Sequence, residues 1–567
     1  MIEIKLCMHV AAHSSIRSVD HLTDLLKECG KGSNLEKLRL HRAKTSMIIL
    51  KVISPAILKE IIEDIGEEPF SIILDEFTDV SVVKYMAYCV RYFSKRLNTF
   101  VVDFLGFSEI YEATAENLFE YFKAFMSEIE LYYKNMIGLG TNGASNLCGK
   151  NHSLYTLLKQ EIPHLQLIQC VCHSLNLCAS NASNELPCTV EYLLRETRKW
   201  FSHSSFRQMR YSKIYQLINA GKRPPKLIQL SSMRWLSWSE AVSTNIKQWL
   251  ELKQHFQLMA NSKNDKCTAR TLAQMYEDNS NLLYLLFLDG ILKEVTNINL
   301  AFQKTNADIT KLNKETSYSM LHQTDIDNIQ RALEKVHQDF ENTLLPFESV
   351  DFGYQCESYA AKKTISQASL KLVQERCVAY TIRLCNELLK RLPRNLSVME
   401  NLQMRFSIQK CDAIESQFRR LQTLRINEIS SNFNSDTDIT DFWIAVRQMT
   451  NANGEKCFKD LVELIFCAPS FPISNAVERI FSIMAVVKSK LRNRLTMPML
   501  VALMRTRIHM NVLGLCCKNY CPTPHILALF NSHNMYEIES SQTELSDYED
   551  NFLESLTLIG SVESINQ

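Results

Sequence analysis

The chain has 567 residues, of which 46% are apolar and 22% charged, with only 14 Gly and 13 Pro. This composition is typical of folded proteins with long helices, and it excludes disordered and fibrous chains. The 18 cysteines are scattered along the chain, as in reduced intracellular proteins. No apolar run approaches the ~18 residues of a membrane span, and the first residues lack a signal-peptide pattern. We therefore expect neither a secreted nor a membrane protein.

The formal net charge of +1 hides an uneven distribution. No Lys or Arg follows Lys518, whereas eight acidic residues do, so the rest of the chain carries a net charge of +9. A mildly basic body is compatible with a polyanionic partner. The tail from about Ser532 has the composition of a disordered segment.

The predicted elements begin with helices over 1–65, where Ser18 precedes a helical pattern as a cap would. Three β-branched and aromatic runs then predict a three-strand meander. Its strands are residues 71–74, 85–93 and 100–107. The pattern continues with a helix, a strand, a helix, a strand and a helix, namely 114–131, 135–140, 154–162, 164–172 and the residues from 175. This order predicts a mixed α/β sheet with helices on its faces. From about 187 to 440 the periodicity is almost entirely helical.

Asp75 follows the first predicted strand directly. A carboxylate at a strand end in an open mixed sheet is a candidate metal ligand or catalytic acid. The alternative is an ordinary polar turn after a strand.

Three cysteines and a histidine, Cys170, Cys172, His173 and Cys178, are close together at the fifth predicted strand. Structural zinc needs four ligands with paired spacings, and no matching second pair is present at a convincing distance. Buried small residues at a strand-to-helix junction, or residues that support an active site, are the other interpretations.

Two segments have the residue types that bind nucleic acid. Arg234 and Trp235 combine a phosphate-binding guanidinium with a ring that can stack on a base, although a helix-packing Trp is an equal alternative. No acidic residue occurs between Arg479 and Met510. Within this stretch four basic residues alternate with a period of two, which favours an extended segment along a phosphate backbone over a helical face. They are Lys488, Lys490, Arg492 and Arg494. A solvated basic loop would show the same pattern.

Three blocks of the sequence resemble transposases of the hAT superfamily and host proteins derived from them. Residues 75–79 read DEFTD, similar to the first catalytic block of the family. Residues 170–177 read CVCHSLNL, similar to its Cys-x-x-His-x-x-Asn-Leu signature. Residues 474–482 read SNAVERIFS, which matches its C-terminal Ser-x-x-x-Glu-Arg-x-Phe-Ser block.

The resemblance implies a ribonuclease-H-like fold that is interrupted by a large all-α insertion domain. It implies an N-terminal helical region 1–65, a first core part 66–185, an insertion 186–440, a C-terminal core and dimerisation region 441–515, and an acidic, disordered tail 516–567. Family members hold two Mg²⁺ or Mn²⁺ ions with an Asp-Asp-Glu triad. Asp75 matches the first Asp and Glu478 the Glu, so both are expected metal ligands, but the second Asp position holds Asn142.

The resemblance also places Cys170 and His173 beside the active site and assigns Trp235 to a flipped base. A neutral amide in place of a carboxylate weakens Mg²⁺ binding, and no other acid between Tyr133 and Lys159 could substitute. The Cys/His spacing of a zinc finger does not occur ahead of Asp75, so we do not expect sequence-specific DNA targeting.

We therefore expect a transposase-derived nuclear protein that binds DNA, self-associates and has impaired cleavage chemistry. One alternative is an active, metal-dependent DNA transposase that tolerates Asn142. Another is a host scaffold that binds protein partners without acting on DNA.

Overall fold

The computed structural model describes a mixed five-stranded sheet surrounded by helices, which confirms the predicted α/β fold class. The described residues are 1–78, 83–230, 236–260, 266–303, 347–362, 365–391, 408–425, 429, 439–470, 476–488 and 495–536. The strands are β1 Phe70–Thr78, β2 Lys84–Ser94, β3 Thr99–Ile110, β4 Met136–Thr141 and β5 Gln166–Gln169. Their order across the sheet is β3-β2-β1-β4-β5. The meander β1 to β3 is antiparallel, whereas β1, β4 and β5 run parallel.

Eight helices belong to the part of the chain that builds this sheet. They are α1 Ile2–His13, α2 Val19–Cys29, α3 Arg42–Ile48, α4 Ser54–Ile65, α5 Ala115–Glu128, α6 Ser145–Cys148, α7 Leu154–Glu161 and α8 Val171–Ser183. A π-helical segment, Ile49–Ile53, joins α3 to α4. Capping residues set the start of the crossover helices: Thr114 accepts the Asn117 N–H at α5, and Ser153 forms a capping box with Thr156 at α7. Apolar residues on one face of α5, such as Phe122 and Phe125, are buried in the core.

The fifth predicted strand, 164–172, is too long. The strand β5 ends at Gln169, and α8 already begins at Val171. Cys170 is the reason, because its sulfur accepts the His173 backbone N–H at 3.4 Å and so caps the helix. Cys172 and His173 are therefore helical.

The residues beyond Leu186 form a helical block, whose main apolar cluster also includes Ile137 of β4, Ile168 of β5 and residues of α8. Its described helices are α9 Cys188–Ser202, α10 Ser205–Ile218, α11 Leu236–Lys247, α12 Trp249–Ala260, α13 Lys266–Glu277, α14 Asn279–Gln303, α15 Tyr354–Lys362, α16 Gln367–Arg391, α17 Ile408–Gln422 and α18 Ile439–Gln448. Within the described parts of 187–440 no residue belongs to a strand, as the sequence predicted.

The chain then returns to the sheet with α19 Lys459–Ser470, α20 Ala476–Val487, α21 Met497–Val512, α22 Pro524–Leu529 and α23 Ser532–Tyr536. One continuous apolar core runs from Ile4 to Met535 and includes the sheet. Tyr520 and Ile526 are almost fully buried in it, so folded structure extends beyond the expected start of the tail at 516. The acidic residues from Glu537 onward lie outside the described residues.

None of the helices in the described residues is both long enough and apolar enough to cross a membrane.

Candidate active site at the ends of two parallel strands

The structure brings two of the predicted site residues into direct contact. Asp75 is half-buried in β1, and Asn142 directly follows β4, the parallel neighbour of β1. The Asn142 side-chain amide Nδ2 donates a hydrogen bond of 2.9 Å to Oδ1 of the Asp75 carboxylate. This contact joins residues 67 positions apart in the chain. The contact brings Asp75 and Asn142 together, and their catalytic role stays a prediction. The first strand was predicted to end at residue 74, which is wrong: β1 continues to Thr78 because its pairing with β2 extends that far, so Asp75 lies within the strand.

The loop after β4 fixes the orientation of the Asn142 amide. Its Oδ1 accepts the Ala144 backbone N–H at 3.0 Å, so the amide oxygen faces the chain and the amide N–H faces Asp75. Gly143 between them has a φ of +95°, a left-handed conformation that glycine adopts without strain. The Asn142 amide is therefore held at both ends.

Cys170 and His173 lie at the next strand end in the sheet. The Cys170 backbone N–H donates a hydrogen bond of 3.0 Å to the carbonyl of Thr141, the residue before Asn142. The Cys170 sulfur in turn accepts the His173 N–H. The expectation that these residues lie beside the site remains a prediction, since the described contacts link them to it through the backbone of Thr141.

Helix α20 contains residues 476–482 of the SNAVERIFS block and packs on the sheet face to which Asp75 belongs. Phe77 shares that face, because residues two apart in a strand point the same way. The rings of Phe77 and Phe481 have centroids 5.3 Å apart. Glu478 lies in the first turn of α20, about one turn before Phe481. The Glu478 side chain is outside the described residues, so its role as a metal ligand stays a prediction.

Another acidic residue, which the sequence analysis did not single out, lies next to Asp75. Glu76 accepts a hydrogen bond of 2.9 Å from Asn146 and forms an ion pair with Lys84. It is thus matched by an amide and a cation. The sequence signal for Glu76 was its place as the second acid of the DEFTD block. Because side chains alternate along a strand, Glu76 points to the face of the sheet opposite to that of Asp75.

The electrostatics of the site are those of a partly buried carboxylate. Burial raises the pKa of the neighbouring Cys89 thiol well above its usual range, and the Asp75 carboxylate adds to this shift. The Cys89 thiol is therefore neutral.

The predicted nucleic-acid contacts are only partly covered by the structure. Arg234, Trp235, Lys490, Arg492 and Arg494 lie outside the described residues, and Lys488 directly follows α20, half-buried.

Two further bases of the same acid-free stretch have structural roles. Arg505 is buried and donates to the carbonyl of Leu105 and, at 2.8 Å, to the Ser54 hydroxyl. Arg507 donates to the carbonyl of Ala11. Arg505 is thus held inside the fold, whereas Arg507 is half-buried and bound to a backbone carbonyl.

The alternative zinc site at Cys170, Cys172, His173 and Cys178 finds no support among the described residues. Cys172 is buried, and its thiol lies 3.7 Å from the Asn299 carbonyl oxygen. Burial raises the pKa of Cys178 to about 12, so this thiol is neutral. Within the described parts of the chain, the residues able to hold a metal converge elsewhere.

The contacts of Asn142 and Asp75 are a poor fit for Mg²⁺. The ion prefers carboxylate oxygens in an octahedral arrangement. Here an amide N–H points at a carboxylate oxygen that a metal would need, and the amide oxygen already accepts a backbone hydrogen bond. A metal could take this position only if the Asn142 side chain turned away. Of the two described side chains in contact here, Asp75 carries a carboxylate and Asn142 does not, so this pair lacks the paired negative charge of a two-metal centre.

The part of the chain that forms most of the sheet is similar to a known protein family. Residues 24–152 are similar to the family model described as DUF4371, the ZMYM1/FAM200 RNase-like domain. The match begins in α2, includes β1 to β4, and contains both Asp75 and Asn142. It covers less than a quarter of the 567 residues and excludes the helical block. The chain thus contains a domain similar to one RNase-like domain, built around the candidate site.

Proposed function

We propose that this protein is a nuclear, hAT-transposase-derived protein that binds nucleic acid and self-associates, and in which a hydrogen bond replaces the catalytic metal. The observation that carries this proposal is the 2.9 Å hydrogen bond from Asn142 to Asp75. The RNase-like match over the same strands supports the transposase origin.

The proposed loss of cleavage activity follows from the missing negative charge at position 142. Two-metal cleavage requires carboxylates that bridge or flank the ions, and each lost negative charge weakens both metal positions. With Asn142 in place, Asp75 is satisfied by a neutral donor, and the pair is stable without an ion. Strand cleavage is therefore impaired, whereas the surfaces that bind nucleic acid are unaffected.

DNA binding is proposed on the charge of the chain outside its acidic tail, +9, and on the basic residues 488–494 next to α20. Phosphate contacts release counterions, so the affinity for DNA should fall steeply as salt is raised. If binding lacks this salt dependence, the alternative that the protein is a scaffold for protein partners would be favoured instead.

The test is the nicking of supercoiled plasmid in Mn²⁺, with the wild type compared with Asn142→Asp and Asn142→Asp/Glu478→Gln. We expect the wild type to be inactive, Asn142→Asp to nick, and the double variant to be inactive again. Nicking by the wild type that Glu478→Gln abolishes would refute the proposal and establish an active nuclease.

Asn146→Asp is the matched control. Asn146 also donates to an acidic neighbour at 2.9 Å, and it lies four residues from Asn142, in the short helix α6 that follows the loop. The change adds the same charge at a position outside the triad, so it should not produce nicking. If it does, the activity of Asn142→Asp reflects added charge in the loop and not a restored triad.

A further inference from the structure

Four metal-binding side chains from distant parts of the sequence converge on the surface of the protein. His9 and His13 are on α1, and Cys516 and Cys517 follow α21. Ligand atoms of His13, Cys516 and Cys517 all lie within 4.8 Å of one another. His9 adds a fourth ligand atom next to Cys517. Neither the RNase-like match nor the site at Asp75 includes this group.

Three of the distances between ligand atoms match edges of a zinc tetrahedron. With Zn–S bonds of about 2.3 Å and Zn–N bonds of about 2.0–2.1 Å, two sulfurs lie about 3.8 Å apart and a sulfur and a nitrogen about 3.5 Å. The sulfurs of Cys516 and Cys517 are 3.8 Å apart. Cys516 Sγ to His13 Nε2, and Cys517 Sγ to His9 Nδ1, are each 3.6 Å. A disulfide would need sulfurs only about 2.05 Å apart.

Local structure positions both pairs of ligands. His9 and His13 are four residues apart in a helix, so their rings project from the same face. On the other side, α21 ends at Val512, and Gly514 takes a left-handed φ of +63°. This turn directs Cys516 and Cys517 back towards α1.

The two segments are also held together without the cluster. Helix α1 packs on α21, and Arg507 donates to the Ala11 carbonyl between the two histidines. The ligands are therefore arranged before any ion binds, which lowers the entropic cost of closing the site.

We propose that His9, His13, Cys516 and Cys517 form a structural Zn²⁺ site that connects α1 to the segment after α21. Two thiolates and two imidazoles are a common ligand set of closed, four-coordinate zinc sites. The ion replaces the thiol protons of Cys516 and Cys517, which are released to solvent, and His9, whose Nδ1 lies 3.6 Å from Cys517 Sγ, supplies the fourth ligand.

The first test is the metal content of the full chain, purified without chelator and refolded with Zn²⁺. We expect about one Zn²⁺ per chain in the wild type and in Cys521→Ser, and almost none in Cys516→Ser/Cys517→Ser. Cys521 is the matched control because it is an exposed cysteine on the same segment but outside the cluster. A wild type without zinc, or a double variant that retains it, would overturn the proposal.

Two measurements on the wild type keep the test valid if the double variant fails to fold. Titration of the apoprotein with Co²⁺ should give a thiolate-to-metal absorption band together with the visible bands of tetrahedral cobalt. Alkylation followed by mass spectrometry should show Cys516 and Cys517 protected in the presence of Zn²⁺, while Cys521 reacts. Octahedral cobalt spectra, or equal alkylation of all three cysteines, would contradict the site.

Discussion

At Asn142, an amide in place of a carboxylate changes what the neighbouring Asp75 can do. The sequence alone predicted both residues at strand ends, which holds for Asn142, whereas β1 continues past Asp75 to Thr78. It could not predict that the amide would be held from both sides, by the Ala144 N–H and by the Asp75 carboxylate. That arrangement depends on the loop conformation at Gly143, and on the close approach of strands that are far apart in the sequence.

This geometry predicts that Asn142→Asp makes the stability of the protein depend on metal. The new carboxylate would lie about 3 Å from that of Asp75, and two like charges at this distance destabilise the fold by roughly 1–3 kcal/mol. Without metal, the Tm should therefore fall by several degrees, and Mn²⁺ should restore it. Thermal unfolding with and without Mn²⁺ measures both changes.

Wild type and Asn146→Asp serve as controls for this effect, since Glu76 keeps its Lys84 partner in both. Neither should gain stability from Mn²⁺. An equal Mn²⁺ shift in all three proteins would locate the metal elsewhere and count against the pairing of positions 75 and 142.

Among the elements, the meander and the crossover helices were predictable because their apolar periods are clear and their caps are local. The β5–α8 junction was not, since apolar residues and cysteines predominate from Leu167 across the junction to Cys172, and the cap is a cysteine sulfur. The acid-free stretch was equally ambiguous. Its alternating basic residues, 488 to 494, suggested one exposed segment. Farther along the same stretch, however, Arg505 is buried against Ser54 and Leu105, which lie about 400 positions or more away in the sequence. Burial lowers the pKa of Arg505 to about 10, so it stays charged at neutral pH.

In the helical block, α12 contains a buried histidine that should make stability depend on pH. His255 accepts the Trp200 indole N–H at 3.2 Å, and burial, with Arg210 and Arg207 nearby, lowers its pKa to about 4. The folded state therefore binds fewer protons than the unfolded state between about pH 4 and 6.5, so stability is full above 6.5 and is lost as pH falls through this range. From pH 7 to 5 the loss should be about 2 kcal/mol.

Denaturant unfolding at pH 7 and pH 5, followed by tryptophan fluorescence, tests this expectation. His255→Gln keeps a hydrogen-bond acceptor for Trp200 but has no proton to gain, so its stability should change less between the two pH values. An equal loss in the variant would assign the pH dependence to other groups.

At the scale of the whole molecule, the sheet is covered by helices from both ends of the described chain. Oδ2 of Asp103 in β3 lies 2.6 Å from Nδ1 of His509 in α21, a buried hydrogen bond between residues 406 positions apart. No local sequence pattern encodes a contact between residues so far apart. For the same reason, the sequence predicted that the regions 1–65 and beyond 515 are separate from the core. Composition and periodicity predicted the fold class, whereas long-range packing determined which segments share one core.

Self-association is proposed for the region that contains α20. Val486 on this helix is 67% exposed, although its neighbour Val487 is buried. If α20 forms the interface, Val486→Lys should weaken self-association about 10–100-fold, because a buried valine contributes roughly 1.5–3 kcal/mol. Sedimentation velocity over a concentration series measures this change.

Leu217→Lys is the matched control for the interface. Leu217 is 85% exposed on α10, outside the proposed region. Its substitution should leave self-association unchanged. If Leu217→Lys disrupts the oligomer and Val486→Lys does not, the helical block provides the interface instead.

The core that runs from Ile4 to Met535 has a consequence for synthesis on the ribosome. All five strands are made by residue 169, but α21, which packs on β3, begins only at Met497. At 5–20 residues per second, the nascent sheet waits on the order of tens of seconds for its covering helix. During that interval its apolar surface and its edge strand are open to other chains. Newly made protein should therefore depend on chaperones that bind nascent chains until translation has passed α21.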